Sequence, residues 1–262
     1  MNRILIAIGA GLIVIAGSVF WYKRSHAPAP AETVAEAPAP VVPATPLPPP
    51  IEHPLGGTAP DGASLPALKD SDAPVAAELG KLFGTEAIGQ YLVPDMVVRR
   101  LVATVDNLPR RKLPDRLRPV QPLAGKFAVT RTGDATEETI ELAPESYARY
   151  EPLVKLLQRI DTQQVAATYK QLYPLFQQQY EEIGFPDQYF NDRLVAVIDH
   201  LLQTPEVGEP VQLVRPNVFY EFADPQLEAR SAGQKTLIRM GKQNADVVKA
   251  KLRDLRGAIT SK

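Results

Sequence analysis

From residue 75 onward, hydrophobic residues recur mostly every three or four positions, the spacing of one face of an α-helix. Glycine and proline punctuate this pattern, with Gly241 as a stop before the last helix and Pro174 as the expected cause of a kink. The pattern predicts helices over 75–83, 85–92, 94–109, 144–160, 162–183 and 185–204, and two more that begin at Asp224-Pro225 and at Lys242. The domain is therefore predicted to be mainly α.

The residues at the helix starts predict how the first three helices begin. We expect the side chains of Asp72 and Thr85 to cap the first two helices, and Pro94 to occupy the first position of the third. In the third helix the pattern predicts a buried stripe of Val97, Leu101, Val105 and Leu108, with Arg99, Arg100, Asp106 and Asn107 facing outward.

A period of two, typical of a β-strand, occurs clearly only at residues 126–142. Phe127, Val129 and Arg131 alternate, and Gly133-Asp134 follows as a turn region before a second apolar run. The sequence thus predicts a small β-hairpin. Residues 209–224 are predicted to be an extended stretch interrupted by proline.

An uncharged apolar run at residues 4–22 precedes the patterned region. As a helix it would measure about 28 Å, close to the hydrocarbon thickness of a bilayer. A cleaved signal peptide is the competing interpretation, with Ala27 and Ala29 at the cut site. Because Pro28 and Pro30 occupy positions that a peptidase must accommodate, we predict a retained single-pass anchor at residues 1–25.

Residues 26–74 are rich in proline and alanine and have no apolar period, so we predict a disordered linker there and a mainly helical globular domain at 75–262. The orientation rests on weak signals, since basic residues flank the apolar run on both sides. The three-residue N-terminal tail is typical of a signal anchor. We therefore expect a bacterial inner-membrane protein with a periplasmic domain, and the reversed, cytoplasm-facing topology stays open.

Composition excludes several kinds of site. The chain has no cysteine, and two of its three histidines, His26 and His53, lie in the predicted linker. His200 is predicted to be a surface or boundary residue. Phosphate-binding, dinucleotide-binding, zinc-protease and serine-hydrolase motifs do not occur in the sequence, so we predict neither a cofactor nor a metal. A net charge of -1 gives no reason to expect nucleic acid binding.

Carboxylates are numerous enough for one catalytic alternative. A pair at working distance could cleave a glycosidic bond, which would make the chain an envelope hydrolase. We expect a solvated acidic surface instead, because clustered carboxylates are far more often a solvated face than a catalytic pair. The candidates are Glu137, Glu138, Glu141 and Glu145 near the hairpin, and Glu181, Glu182, Asp187 and Asp192 near a helix junction.

Charge is unevenly distributed along the domain. Residues 121–230 carry a net charge of -8, and residues 231–262 carry +6. One interpretation is that the basic last helix packs beside the acidic middle. The alternative is a surface for an anionic partner such as lipid headgroups, formed by Lys242, Lys249, Arg253 and Arg256.

Several segments resemble an uncharacterised bacterial family, domain-of-unknown-function family 3014. They include YLVPDMVVRRLVATVDNLPR, ESYARYEPLV, DRLVAVIDHLLQTPE and YEFADPQLEARSAGQKTLIRMG, in that order over roughly residues 80–260. The resemblance implies an N-terminal membrane segment and a Pro/Ala-rich spacer, and it brings no activity, cofactor or site residue.

These observations lead to one functional expectation with alternatives. We expect a non-enzymatic envelope protein, anchored through residues 4–22, whose domain is a binding or scaffold module for protein or cell-wall partners. The alternatives are the carboxylate-dependent hydrolase and a cytoplasm-facing domain with a lipid-contacting basic helix. The oligomeric state is not predicted.

Overall fold

The computed structural model describes residues 49–55, 65–134 and 137–260, which belong to one compact unit. It is mainly helical, as predicted, with a small antiparallel sheet. The α-helices are α1 (Asp72–Phe83), α2 (Thr85–Tyr91), α3 (Val97–Asn107), α4 (Pro144–Ala148), α5 (Glu151–Arg159), α6 (Thr162–Glu182), α7 (Phe190–Leu202), α8 (Pro225–Glu228), α9 (Ala232–Arg239) and α10 (Lys242–Thr260). The strands are β1 (Val129–Thr132), β2 (Thr139–Leu142), β3 (Gln212–Val214) and β4 (Glu221–Phe222).

The predicted caps of α1 and α2 are wrong. Asp72 is the first residue of α1, and its carboxylate instead accepts hydrogen bonds from the backbone N–H groups of Met96 (2.8 Å) and Val97 (2.7 Å). It therefore caps α3, a helix that begins 25 residues later. Thr85 is likewise inside α2, whose N-cap is Gly84, and its side chain makes no capping hydrogen bond.

Helix α3 begins later than predicted and buries a broader face. Pro94 lies before the helix, which starts at Val97 after Met96 in a left-handed conformation. Because α3 packs against α1, α6 and α7, its buried residues extend beyond the predicted stripe, whose later members are only half-buried. The buried residues are Val97, Val98, Val102, Ala103 and Asp106.

The long helices form the centre of the domain. Helix α6 runs through Pro174 and packs against α3, α7 and α10. Aromatic residues of α6 and α7 join α1 and α3 in one hydrophobic cluster, in which Phe176, Tyr180 and Phe190 are buried. Helix α10 closes a second cluster with Ile259. The apolar residues at helical spacing in 162–183 and 185–204, among them Leu172 and Ile198, are thus in the core.

Two of the segments predicted to be single helices each form two helices in the structure. Residues 144–160 form α4 and α5, and the segment after Asp224 forms α8 and α9. Helix α9 has its own start because Ser231 accepts a hydrogen bond from the backbone N–H of Gln234. Gly241 separates α9 from α10 as predicted, with a φ of +81°.

The sheet is larger than the predicted hairpin. Strands β1 and β2 form that hairpin, with Val129 opposite Leu142, and the sheet continues in the order β1-β2-β3-β4. Strands β3 and β4 come from the stretch predicted to be merely extended. They are only three and two residues long, too short for a period of two to be visible in the sequence.

Parts of the segment predicted as linker lie within this fold. The carboxylate of Asp192 on α7 accepts hydrogen bonds from the backbone N–H groups of Glu52 and His53, and a short 3-10 helix spans Leu68–Asp70. The predicted anchor at residues 1–25 lies outside the described residues. Among the helices of the described ranges, none has the length and apolar character needed to cross a bilayer.

Candidate functional site

The structure places the four basic residues predicted on the last helix in different environments. Lys242 lies beside Glu206 (3.1 Å) and Asp246 (3.0 Å). Arg256 forms a two-point ion pair with Asp199 at 2.5 and 2.9 Å. The hydrogen bond and charge of Arg256 lower the pKa of Asp199, although partial burial acts the other way.

The other two basic residues, Lys249 and Arg253, differ in how far they are exposed to solvent. Lys249 is buried, and its ammonium group donates to the backbone carbonyl of Thr204 at 2.7 Å. Arg253 is exposed. The four side chains therefore do not form one open surface. Three of them contact residues between 199 and 206, so the basic helix packs against the acidic middle of the chain.

Four of the eight candidate carboxylates, those of Glu138, Glu181, Glu182 and Asp192, accept hydrogen bonds from neighbouring groups. Glu138 pairs with Arg131 at 2.7 Å, and Asp192 holds the backbone N–H groups described above. The His200 ring lies 2.9 Å from the Ser231 hydroxyl. Its pKa is lowered by burial and, to a smaller extent, by Arg193 and another nearby arginine. Within the described ranges, no group of three His, Asp or Glu residues is arranged to hold a metal ion.

A buried acid that the sequence analysis placed on the surface joins α3 to α7. The side chain of Asp106 is 5% exposed and accepts hydrogen bonds from Arg110 (2.8 Å) and Arg193 (3.1 Å). Arg193 also donates to the backbone carbonyl of Asp106 at 2.7 Å. The prediction that Asp106 faces outward is wrong, because the opposing helix supplies a cation that satisfies it. This cluster is fully paired, which is typical of a structural role.

The most unusual exposed feature is the loop between β3 and β4, residues 215–220, which we call the exposed loop. Val218 is 71% exposed and Phe219 is 79% exposed. Val214 at the end of β3 and Phe127 before β1 are also exposed, at 43% and 38%. Scattered apolar residues are normal on a protein surface, whereas two adjacent ones at a loop tip beside others indicate an interaction site.

Contacts beneath the tip hold the exposed loop in place. The Tyr220 ring stacks on Phe127 with centroids 5.6 Å apart, and its hydroxyl accepts a hydrogen bond from Arg131 at 3.0 Å. The guanidinium of Arg215 lies 5.4 Å from the Tyr220 ring, and its Nε donates to the carbonyl of Val218 at 3.3 Å. The loop is therefore braced from within while its tip has few protein neighbours.

A family model described as "Protein of unknown function (DUF3014)" matches residues 97–256, well over half of the chain. The chain belongs to this family. It matches no curated protein and no solved structure. The DUF3014 region contains the whole sheet, the exposed loop and the Asp106 cluster, whereas α1 and α2 precede it.

Sequence reasoning did not identify the exposed loop within the DUF3014 region. The signal was present, because Pro216-Asn217 is a turn-forming pair directly before Val218 and Phe219. A run of apolar residues after a turn is usually a strand, however, and the sequence alone does not say that this run stays outside the core.

Proposed function

We propose that this DUF3014 protein is a membrane-anchored binding module of the bacterial envelope, without enzymatic activity, whose domain contacts another envelope component through the exposed loop. The observation that carries the proposal is the 79% exposure of Phe219 beside the similarly exposed Val218. Leaving such side chains in water forgoes the free energy of burial, and contact with a partner recovers it.

The character of the loop supports binding over catalysis. Aromatic and arginine side chains dominate the most strongly binding parts of interfaces, and here Phe127, Tyr220, Arg131 and Arg215 surround the tip. Their mutual contacts order the loop before any partner arrives, so less conformational entropy is lost on binding.

The anchoring part of the proposal rests on residues 4–22, which are long and apolar enough to span a bilayer. A tethered domain stays at a high effective concentration near the membrane, so a modest contact surface suffices for lasting association. The long segment rich in proline and alanine that follows residues 4–22 favours a periplasmic domain.

Two measurements on the full chain in cells test this proposal. Alkaline carbonate should leave the chain in the membrane fraction, and a C-terminal alkaline phosphatase fusion should be active whereas a fluorescent-protein fusion should be dark. Extraction by carbonate contradicts the anchor, and the opposite fusion pattern contradicts the periplasmic orientation.

Binding through the loop is tested separately by site-specific photocross-linking. A photoreactive residue at position 219 should form adducts with another envelope component, whereas the same residue at exposed position 253 should form few. Equal adduct yields at the two positions contradict the assignment of the loop as the contact surface.

A further inference from the structure

The charges around the exposed loop favour one class of partner. Two chain segments meet at the loop, residues 121–133 and 211–220, and neither contains an acidic residue. Together they carry Lys126, Arg131 and Arg215. Glu138 pairs with Arg131, whereas Lys126 and Arg215 form no ion pair with any residue that the structure describes. The apolar tip is thus accompanied by two cations that have no ion-pair partner among the described residues, and the nearest acids along the two segments are Asp134 and Glu221, which directly follow them.

The shape of the loop is equally informative. Exposures of 71% and 79% mean that Val218 and Phe219 project from the surface and do not line a hollow. A projecting apolar tip can enter a fluid apolar phase without a preformed pocket. Side chains that enter a bilayer interface combine apolar or aromatic groups with flanking Lys or Arg, which stay at the headgroups.

We propose that the exposed loop inserts Val218 and Phe219 into the surface of an anionic lipid bilayer, with Arg215 and Lys126 contacting the headgroups. This inference rests on the proposed function, because it names the partner of the same loop. It also assigns lipid contact to the sheet, whereas the sequence had suggested the last helix, where Lys249 is buried and Arg256 is paired.

Two kinds of contribution hold the loop at the bilayer. Burying the Phe219 and Val218 side chains removes apolar surface from water whatever the lipid headgroup is. Arg215 and Lys126 add an attraction that requires anionic lipid and decreases with salt. Insertion should therefore decrease both when the apolar tip is removed and when the anionic lipid is removed. A purely apolar contact would not depend on lipid charge, and a purely electrostatic contact would not depend on Val218 and Phe219.

The absence of cysteine makes the test direct, because a single introduced cysteine is the only labelling site. Asn217→Cys places a polarity-sensitive fluorophore beside the tip and leaves Val218 and Phe219 intact, and Arg253→Cys places the same probe on exposed α10. The full-length chain is reconstituted into vesicles of phosphatidylcholine alone or with phosphatidylglycerol. Both compositions are prepared with and without nitroxide-labelled lipid as quencher.

The expected result is strong quenching and a blue-shifted emission at position 217 in the anionic vesicles, with much less of either at position 253. Lys126→Gln, which removes an exposed cation that does not brace the loop, should lower the ratio of inserted to free loop about fivefold, the effect of one cation near an anionic surface. Val218→Ser with Phe219→Ser should abolish quenching at position 217. That variant also controls for insertion caused by the fluorophore itself.

Three outcomes overturn the inference. They are equal quenching at positions 217 and 253, quenching that persists in the double serine variant, and quenching that does not depend on phosphatidylglycerol. A chain that resists carbonate extraction from the vesicles but shows no loop quenching keeps the anchor and loses the lipid contact, so the two proposals fail separately. Cross-linking of position 219 to a polypeptide, without lipid quenching, assigns the loop to a protein partner instead.

Discussion

The helices of this domain bury charged side chains, whereas the sheet exposes apolar ones. Among the helices, charged groups are inside the protein: Asp106 lies between α3 and α7, and Lys249 is a buried residue of α10. In the sheet, apolar groups are outside, with Phe219 and Val218 at the tip of the exposed loop. Internal contacts hold both kinds of residue in place, with ion pairs around Asp106 and ring contacts around Tyr220.

The buried charges are satisfied and the exposed apolar groups are not. Asp106 has two arginine partners, and Lys249 has a carbonyl acceptor, so each has the partners that a buried charge requires. No described residue covers the Phe219 side chain to a comparable degree. A buried charge whose partners lie inside the fold indicates a structural role. An exposed apolar side chain that nothing in the domain covers indicates contact with another molecule.

The largest expected effect compares two phenylalanines of the same hairpin. Phe222 is 2% exposed and packs in the cluster under the sheet, so Phe222→Ala should lower the free energy of unfolding by about 3–5 kcal/mol. Phe219→Ala, three residues earlier, should change it by less than about 0.5 kcal/mol because little area is buried there. Urea unfolding followed by circular dichroism measures both. A loss above about 2 kcal/mol for Phe219→Ala would show that the tip belongs to the core.

Next in size is the removal of the buried acid. Asp106→Ala leaves Arg193 without its carboxylate in a half-buried position, so we expect a loss of about 3 kcal/mol in the free energy of unfolding. The control is Asp254→Ala, which removes an exposed acid of α10 and should cost less than about 0.5 kcal/mol. Similar values for the two variants would contradict the structural role of the Asp106 cluster.

The sequence predicts the helices of this domain better than it predicts their surfaces. The stripes on α6 and α7 identify core residues because regular burial leaves a regular pattern. Asp106 breaks that pattern, and its burial depends on Arg193, which is 87 positions away in the chain. Asp72 shows the same limit, since it caps a helix other than the one that it begins.

The candidate site was harder to predict than the fold. The four basic residues of α10 follow a helical spacing of i, i+7, i+11 and i+14, but a helix buries its faces according to what packs against it, and α5, α6, α7 and α9 surround this one. The exposed loop was missed for the opposite reason. Val218 and Phe219 look like strand residues, and the short strands β3 and β4 end on either side of them.

A smaller effect tests whether α10 presents a basic surface or a packed one. Lys249→Glu puts an unpaired carboxylate against the carbonyl of Thr204 in a buried position, so it should cost about 2–3 kcal/mol in the free energy of unfolding. Arg253→Glu makes the same charge change at an exposed position of the same helix and should cost less than about 0.5 kcal/mol. Equal effects would mean that both residues belong to one surface.

The smallest effect concerns the ion pair that ties the sheet to the helices. The Glu228 carboxylate accepts hydrogen bonds from Lys235 (2.7 Å) and from the backbone N–H of Phe222 (3.0 Å). Burial acts to raise the pKa of Glu228, but these hydrogen bonds and the charges of Lys235 and Arg239 outweigh it, so the pKa lies below its usual value of 4.5.

A lowered pKa fixes the direction of the pH dependence. The stabilisation is fully present above pH 4.5 and is lost as the pH falls through the lower pKa of the folded state. Glu228→Gln should therefore cost about 1–2 kcal/mol at neutral pH and progressively less in acid, where the wild-type carboxyl is itself protonated. Lys235→Met should show the same trend, because it removes the other half of the pair.

Urea unfolding across this pH range measures the cost of both variants. A cost for Glu228→Gln that stays constant into acid would mean that the side chain acts through its shape and its neutral hydrogen bonds. The ion pair would then not be what joins the sheet to the helices.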